Sequence, residues 1–170
     1  ITAHQFGYTN VVASMGTALT GEQASTLRAM ASQVVLALDP DTAGQEATLR
    51  SMESAWGVFH RTQMRGGPQG TTLYQRPQLP DLRVAPLPTG QDPDEVIRHD
   101  PTAWTSMVDG AVPMMDYLFS ALSRRLDSGT PEGKAQLSQL LFPLVAAIED
   151  PFLQDHYFQS LARLLGVATE

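Results

Sequence analysis

The sequence holds no cysteine and a single lysine, Lys134. It also lacks any uninterrupted apolar run near the ~18 residues that a membrane span needs. The first absence excludes disulfides and cysteine–zinc sites within these 170 residues and agrees with a reducing, cytoplasmic setting. The second helps set a net charge of −7, a surface that repels phosphate backbones. Weak or no nucleic-acid binding by this chain alone is therefore expected. The third argues against a membrane partner, and no basic stretch precedes an apolar run at the start, so no signal peptide is expected. Only 17% of residues are charged and 42% are hydrophobic, which suits a folded domain large enough for a core. The opening ITAHQF has no initiator methionine and reads as the middle of an element, so an excised piece of a longer protein is expected.

The first half mixes strand and helix signals. Residues 1–6 read as a helix end closed by Gly7, and NVVAS (10–14) reads as a short β-branched strand. Thr20 stands three residues before Gln23, the spacing of a capping box, and opens a helix over about 20–30. QVVLAL (33–38) is an apolar run of strand length, as in a central parallel strand. Leu49, Met52, Trp56 and Phe59 mark one face of a helix over about 42–60, which Thr42 and Gln45 could cap. LRVAPL (82–87) is a further strand. The alternation predicts an α/β fold with a parallel sheet and flanking helices. Residues 60–80, rich in Gly, Pro and Gln, read as a mobile insertion.

From about residue 100 the pattern is helical throughout. Asp100-Pro101, Thr130-Pro131 and Asp150-Pro151 each place a capping residue before proline at a first helical position. Two regions are expected: 1–99, the α/β domain, and 100–170, a small all-α subdomain. The methionines, Trp56 and Trp104 read as core. His4, His60, His99 and His156 show no ligand spacing. Arg124-Arg125 suits the negative end of a helix dipole.

The tripeptide DPD occurs twice, at 39–41 and 92–94. Asp92 before Pro93 makes a plausible N-cap, with Asp94 and Glu95 suited to the first helical turn. Asp39 differs, because it follows directly on the strand 33–38, at the carboxyl end where open α/β sheets place ligands. Carboxylates one residue apart in extended chain lie ~6.5–7 Å apart at Cα, close enough to share a hard divalent cation or bridge two. Two acids so close repel, and a cation would offset the repulsion. Capping and metal binding both stay open on the residues alone. A phosphatase of the haloacid-dehalogenase type also carries DxD after a strand, but Ala43 stands where that family has Thr or Val, and Lys134 lies in the helical half.

Taken in order, NVVASMGTALTGEQ, VVLALDPDTAGQEA and LPTGQDPDEVI resemble the Toprim domain of bacterial DnaG-type primases. SGTPEGKAQLSQLLFPLVAAIEDP and DHYFQSLARLLGV resemble the helical subdomain that follows it. The resemblance spans nearly the whole chain except 60–80. It implies a Toprim-like sheet truncated at its first strand, followed by a helical subdomain. The implied activity is template-directed synthesis of short RNA primers by metal-dependent nucleotidyl transfer in DNA replication. The implied catalytic residues are Asp39 and Asp41, and the implied metal ligands Asp39, Asp41, Asp92 and Asp94, holding Mg²⁺ or Mn²⁺. Gly16 and Thr17 match a family turn that could line the nucleotide site. Implied partners of the whole protein are a single-stranded DNA template, nucleoside triphosphates and the replicative helicase, as in a primosome.

Some features of the family have no counterpart here. The EGYxD-like motif with its glutamate, the zinc-binding domain, the basic template-binding subdomain and the helicase-binding domain are all expected outside this chain, and zinc with them. The piece alone is thus expected to be inactive. Pro40 replaces the usual glycine, which fixes φ and removes one N–H. Two other readings are carried: another Toprim protein, such as a topoisomerase or nuclease, and a non-catalytic interaction module in which the DPD aspartates serve only as caps.

Overall fold

In the computed structural model, residues 1–13, 19–38, 52, 56 and 81–167 are described. Two six-residue runs make most of the sheet, β1 (Gln33–Leu38) and β2 (Asp81–Pro86). They pair in parallel, in register from Gln33 opposite Asp81 to Leu38 opposite Pro86. The other edge of β2 pairs antiparallel with β3 (Val112–Pro113), giving the order β1-β2-β3.

Alternation along the strands sends side chains to opposite faces, and each face carries a core. On one, Val34, Leu36, Leu82 and Val84 meet Ala24 and Leu27 of α2 (Gly21–Met30). Buried Met52 and Trp56, both helical, join them. So do three long helices: α5 (Met114–Arg125) through Met114, Met115, Leu118 and Leu122; α6 (Pro131–Ala146) through Leu137, Leu141, Leu144 and Val145; and α7 (Pro151–Leu165) through Tyr157 and Leu161. On the other face, Ala37 and Leu87 meet Ala3 of α1 (Thr2–Gln5), Val96 and Ile97 of α3 (Pro93–His99), and Trp104 of α4 (Pro101–Asp109). Tyr8 seals this second core. Its ring lies edge-on to Trp104 with centroids 6.3 Å apart, and its hydroxyl donates to the Pro101 carbonyl at 2.7 Å.

The helix starts follow local chemistry. Thr20 accepts from Gln23 N at 3.3 Å while Gln23 Oε1 accepts from Thr20 N at 3.0 Å, the reciprocal bonds of a capping box. Asp100, Thr130 and Asp150 each cap a helix that begins with proline. Gly7, at φ 91°, turns the chain just after α1, a conformation that favours glycine. Arg124 and Arg125 occupy the last turn of α5.

The result is a mixed α/β fold, mostly helical, with a small sheet. Three expectations are corrected. Residues 10–13 form no strand, since Val12 is exposed and the Val11 carbonyl bonds to His4 Nε2 at 2.7 Å rather than to a neighbouring strand. The third strand of the described sheet lies instead at 112–113, within the stretch expected to be wholly helical, and runs antiparallel. Met30 is solvent-exposed rather than core. The cap Thr42–Gln45, the insertion 60–80 and most of the helix 42–60 lie outside the described residues. Among the described residues, no helix is long and apolar enough to cross a membrane.

Candidate metal centre

The parallel pairing of β1 and β2 sets their carboxyl ends side by side, Leu38 opposite Pro86. In sequence, the first DPD follows directly on Leu38, and the second follows Pro86 after five residues. Asp39, Asp41, Gly16 and Thr17 themselves lie outside the described residues. Asp92 and Asp94 are described, and each has a defined local role.

Asp92 is the N-cap of α3. Its Oδ1 accepts from Glu95 N at 2.8 Å, and Glu95 Oε2 accepts from Asp92 N at 3.2 Å. This capping box holds the entry to the helix and aims the Asp92 side chain back over it. Its described hydrogen bonds use Oδ1 alone. Asp94, in the first turn, accepts from Arg98 Nε through Oδ2 at 2.8 Å. The Thr2 hydroxyl of α1, ahead of the Arg98 guanidinium, holds the Asp94 carboxyl below its ordinary range. The group is thus ionised at neutral pH.

Among the described residues, no three His, Asp or Glu side chains gather into a metal-holding group. The donor chemistry of the described pair nonetheless fits a divalent cation. Both groups are carboxylates, the hard oxygen ligands that Mg²⁺ and Mn²⁺ favour. Asp92 keeps Oδ2 out of its capping bond and Asp94 keeps Oδ1 out of its ion pair. A cap and a ligand can therefore be the same residue.

The described histidines have other contacts: His99 Nδ1 lies 2.8 Å from the Glu95 carbonyl, and the His156 ring sits edge-on to Tyr157. Two residues around Asp94 were not singled out from the sequence. Arg98 was visible as the i+4 partner of Asp94, a spacing that brings side chains together on a helix. Thr2 had no such signal, since its contact with Arg98 is made 96 positions away in sequence.

Comparison with known proteins gives two family matches. The Toprim domain matches residues 1–64, and the DnaB-helicase binding domain of primase matches residues 115–170. The DNA primase of Escherichia coli (strain K12) is 31% identical over 164 residues, covering 96% of this chain. That of Clostridium acetobutylicum is 31% identical over 168 residues, covering 98%. The chain spans 25% of the length of both curated relatives. Among solved structures, the E. coli primase catalytic core aligns over 99% of this chain and 49% of its own, at TM-score 0.76 and 28% identity. A DnaG primase catalytic domain bound to ssDNA aligns over 99% of this chain and 48% of its own, at TM-score 0.75 and 28% identity. The helical stretch 115–170 thus lies within the part similar to catalytic cores and also matches the helicase-binding family. The latter is at odds with the expectation that all helicase-binding sequence lies outside the chain.

Proposed function

This chain belongs to the DnaG-type primases, and from that premise we propose that the protein carrying it makes short RNA primers on single-stranded DNA. The reaction is metal-dependent nucleotidyl transfer from nucleoside triphosphates, in the cytoplasm, as part of a primosome. The observation that carries the reading is the register of β1 and β2. With Leu38 opposite Pro86, the strand that precedes the first DPD directly ends beside the strand that precedes the second by five residues. A topoisomerase or nuclease is not favoured, because the curated relatives are primases.

In this reading Asp39, Asp41, Asp92 and Asp94 hold Mg²⁺ or Mn²⁺, with Asp39 and Asp41 closest to the chemistry. Held by these carboxylates, a divalent cation would supply charge neutralisation of the triphosphate and polarisation of the reacting oxygens. The chain's own contribution is placement. The capping box fixes Asp92 at the start of α3, and Arg98 holds the Asp94 carboxylate through Oδ2. Gly16 and Thr17 are assigned to lining the nucleotide site. Residues 1–99 supply the metal site, and the acidic charge leaves template binding to a basic surface elsewhere in the protein, as it leaves zinc. Residues 115–170 are assigned to contact with the replicative helicase. The family match there and the exposed side chains of Phe142 and Phe152 support this.

Primer synthesis by the intact protein on a single-stranded template, with nucleoside triphosphates and Mg²⁺, tests the reading. Short RNA products are expected from the wild type and none from Asp39→Asn. Full synthesis by Asp39→Asn would refute the assignment.

A further inference from the structure

Arg98 stands one helical turn beyond Asp94 and joins it to α1. Its Nε donates to Asp94 Oδ2 at 2.8 Å, and its Nη2 donates to Thr2 Oγ1 at 3.3 Å. The guanidinium thus links the Asp94 carboxylate to the Thr2 hydroxyl of α1. An exposed ion pair at i,i+4 does little for stability by itself, and the Arg98 side chain is 62% exposed. What sets this pair apart is its third member. Thr2 is only 6% exposed and belongs to a different helix, so the guanidinium that holds the carboxylate is itself tied to α1.

We propose that Arg98, with Thr2, is a positioning residue for the Asp94 metal ligand. The ion pair engages Oδ2, the Thr2 bond restrains the guanidinium that makes it, and Oδ1 stays out of the ion pair. This rests on the reading of Asp94 as a ligand. Ligating carboxylates are commonly oriented by such outer hydrogen bonds, and losing one costs tenfold or more in metal affinity. The planar guanidinium serves two partners at once, whereas the lysine ammonium is a point charge on a flexible stem. Arg98→Lys therefore keeps the charge but loses part of the orientation.

The test is titration calorimetry with Mn²⁺ alone, together with a thermal melt of each variant. Arg98→Ala is expected to weaken Mn²⁺ binding about tenfold with little change in Tm, and Arg98→Lys to fall between it and wild type. Thr2→Val removes the hydroxyl at nearly constant shape and is expected to weaken binding in the same direction. Unchanged affinity in both Arg98→Ala and Thr2→Val overturns the proposal. Tighter binding by Arg98→Ala also overturns it, because the guanidinium would then be competing with the cation. Asp94→Asn separates the two layers. If it binds Mn²⁺ as wild type does, the ligand assignment fails and the positioning role falls with it. If it loses binding while Arg98→Ala does not, only the positioning role fails.

Discussion

Trp56 Nε1 donates to the Leu144 carbonyl at 2.8 Å across 88 residues of sequence, in the buried interior. Leu144 lies in the last turn of α6, where carbonyls have no intrahelical partner. The neighbouring ends are met separately: Ala147 N donates to Pro143 O, and Ile148 N to Val145 O. Gln154 Nε2 donates to Ala146 O at 3.2 Å and to Ile148 O at 2.9 Å. One indole from the first half of the chain thus completes the end of a helix in the second.

Trp56→Phe keeps an aromatic side chain, smaller than the indole, and leaves the buried Leu144 carbonyl without this donor. The expected loss is about 1–3 kcal/mol, the cost of an unsatisfied buried acceptor. A urea midpoint unchanged from wild type would show that the indole N–H contributes nothing there.

Gly133 is where helix propensity and packing give opposite signs. Alanine is favoured over glycine inside a helix by up to about 1 kcal/mol. A Cβ at Gly133, however, would meet the Asp127 carbonyl oxygen, a backbone atom that cannot swing aside. Gly133→Ala is expected to destabilise by roughly 1–3 kcal/mol through overpacking. A rise in Tm would mean that the turn before α6 yields easily.

Asp92 offers a clean separation of cap from ligand. Asparagine is as good an N-cap as aspartate, whereas alanine costs about 1 kcal/mol. Asp92→Asn is expected to keep wild-type stability and lose Mn²⁺ affinity, while Asp92→Ala loses both. If Asp92→Asn binds Mn²⁺ normally, its role is capping alone.

Asp100 sets an acid dependence whose sign follows from its bonds. The Thr102 hydroxyl at 2.6 Å and then the Ala103 amide favour the ionised form and hold its carboxyl below the ordinary range. A depressed folded value contributes stability that is present above the unfolded value, about 3.9, and is lost as pH falls through the folded one. Asp100→Asn is neutral throughout. Wild type should exceed it in urea midpoint at pH 7, with the gap closing once the folded carboxyl is protonated. A gap independent of pH would assign the effect to cap geometry instead of charge.

Local chemistry was legible in the sequence where it is self-contained. Thr20 with Gln23, and Asp100, Thr130 and Asp150 before proline, need only neighbours within three residues, and all cap as their spacing suggests. The two longer strands were legible as apolar runs. β3 was not, because two residues ending in proline carry no period, and their pairing comes from β2 alone. Residues 10–13 were misread for the complementary reason. β-branched propensity describes a fit to a pleated surface, and among the described residues no strand accepts Val11 and Val12. At the candidate site, Asp92 showed its cap in advance. The Thr2–Arg98–Asp94 network did not show, since tertiary packing of α1 on α3 creates it.

The central claim is that carboxylates from both DPD tripeptides meet on one metal site. Its most direct test is a crystal of the protein grown with Mn²⁺ and read by anomalous difference density. A peak is expected about 2.0–2.6 Å from oxygens of at least one aspartate of 39–41 and one of 92–94. Density lying on one pair alone, or none at either with Asp92 and Asp94 left to their cap and ion pair, would contradict it.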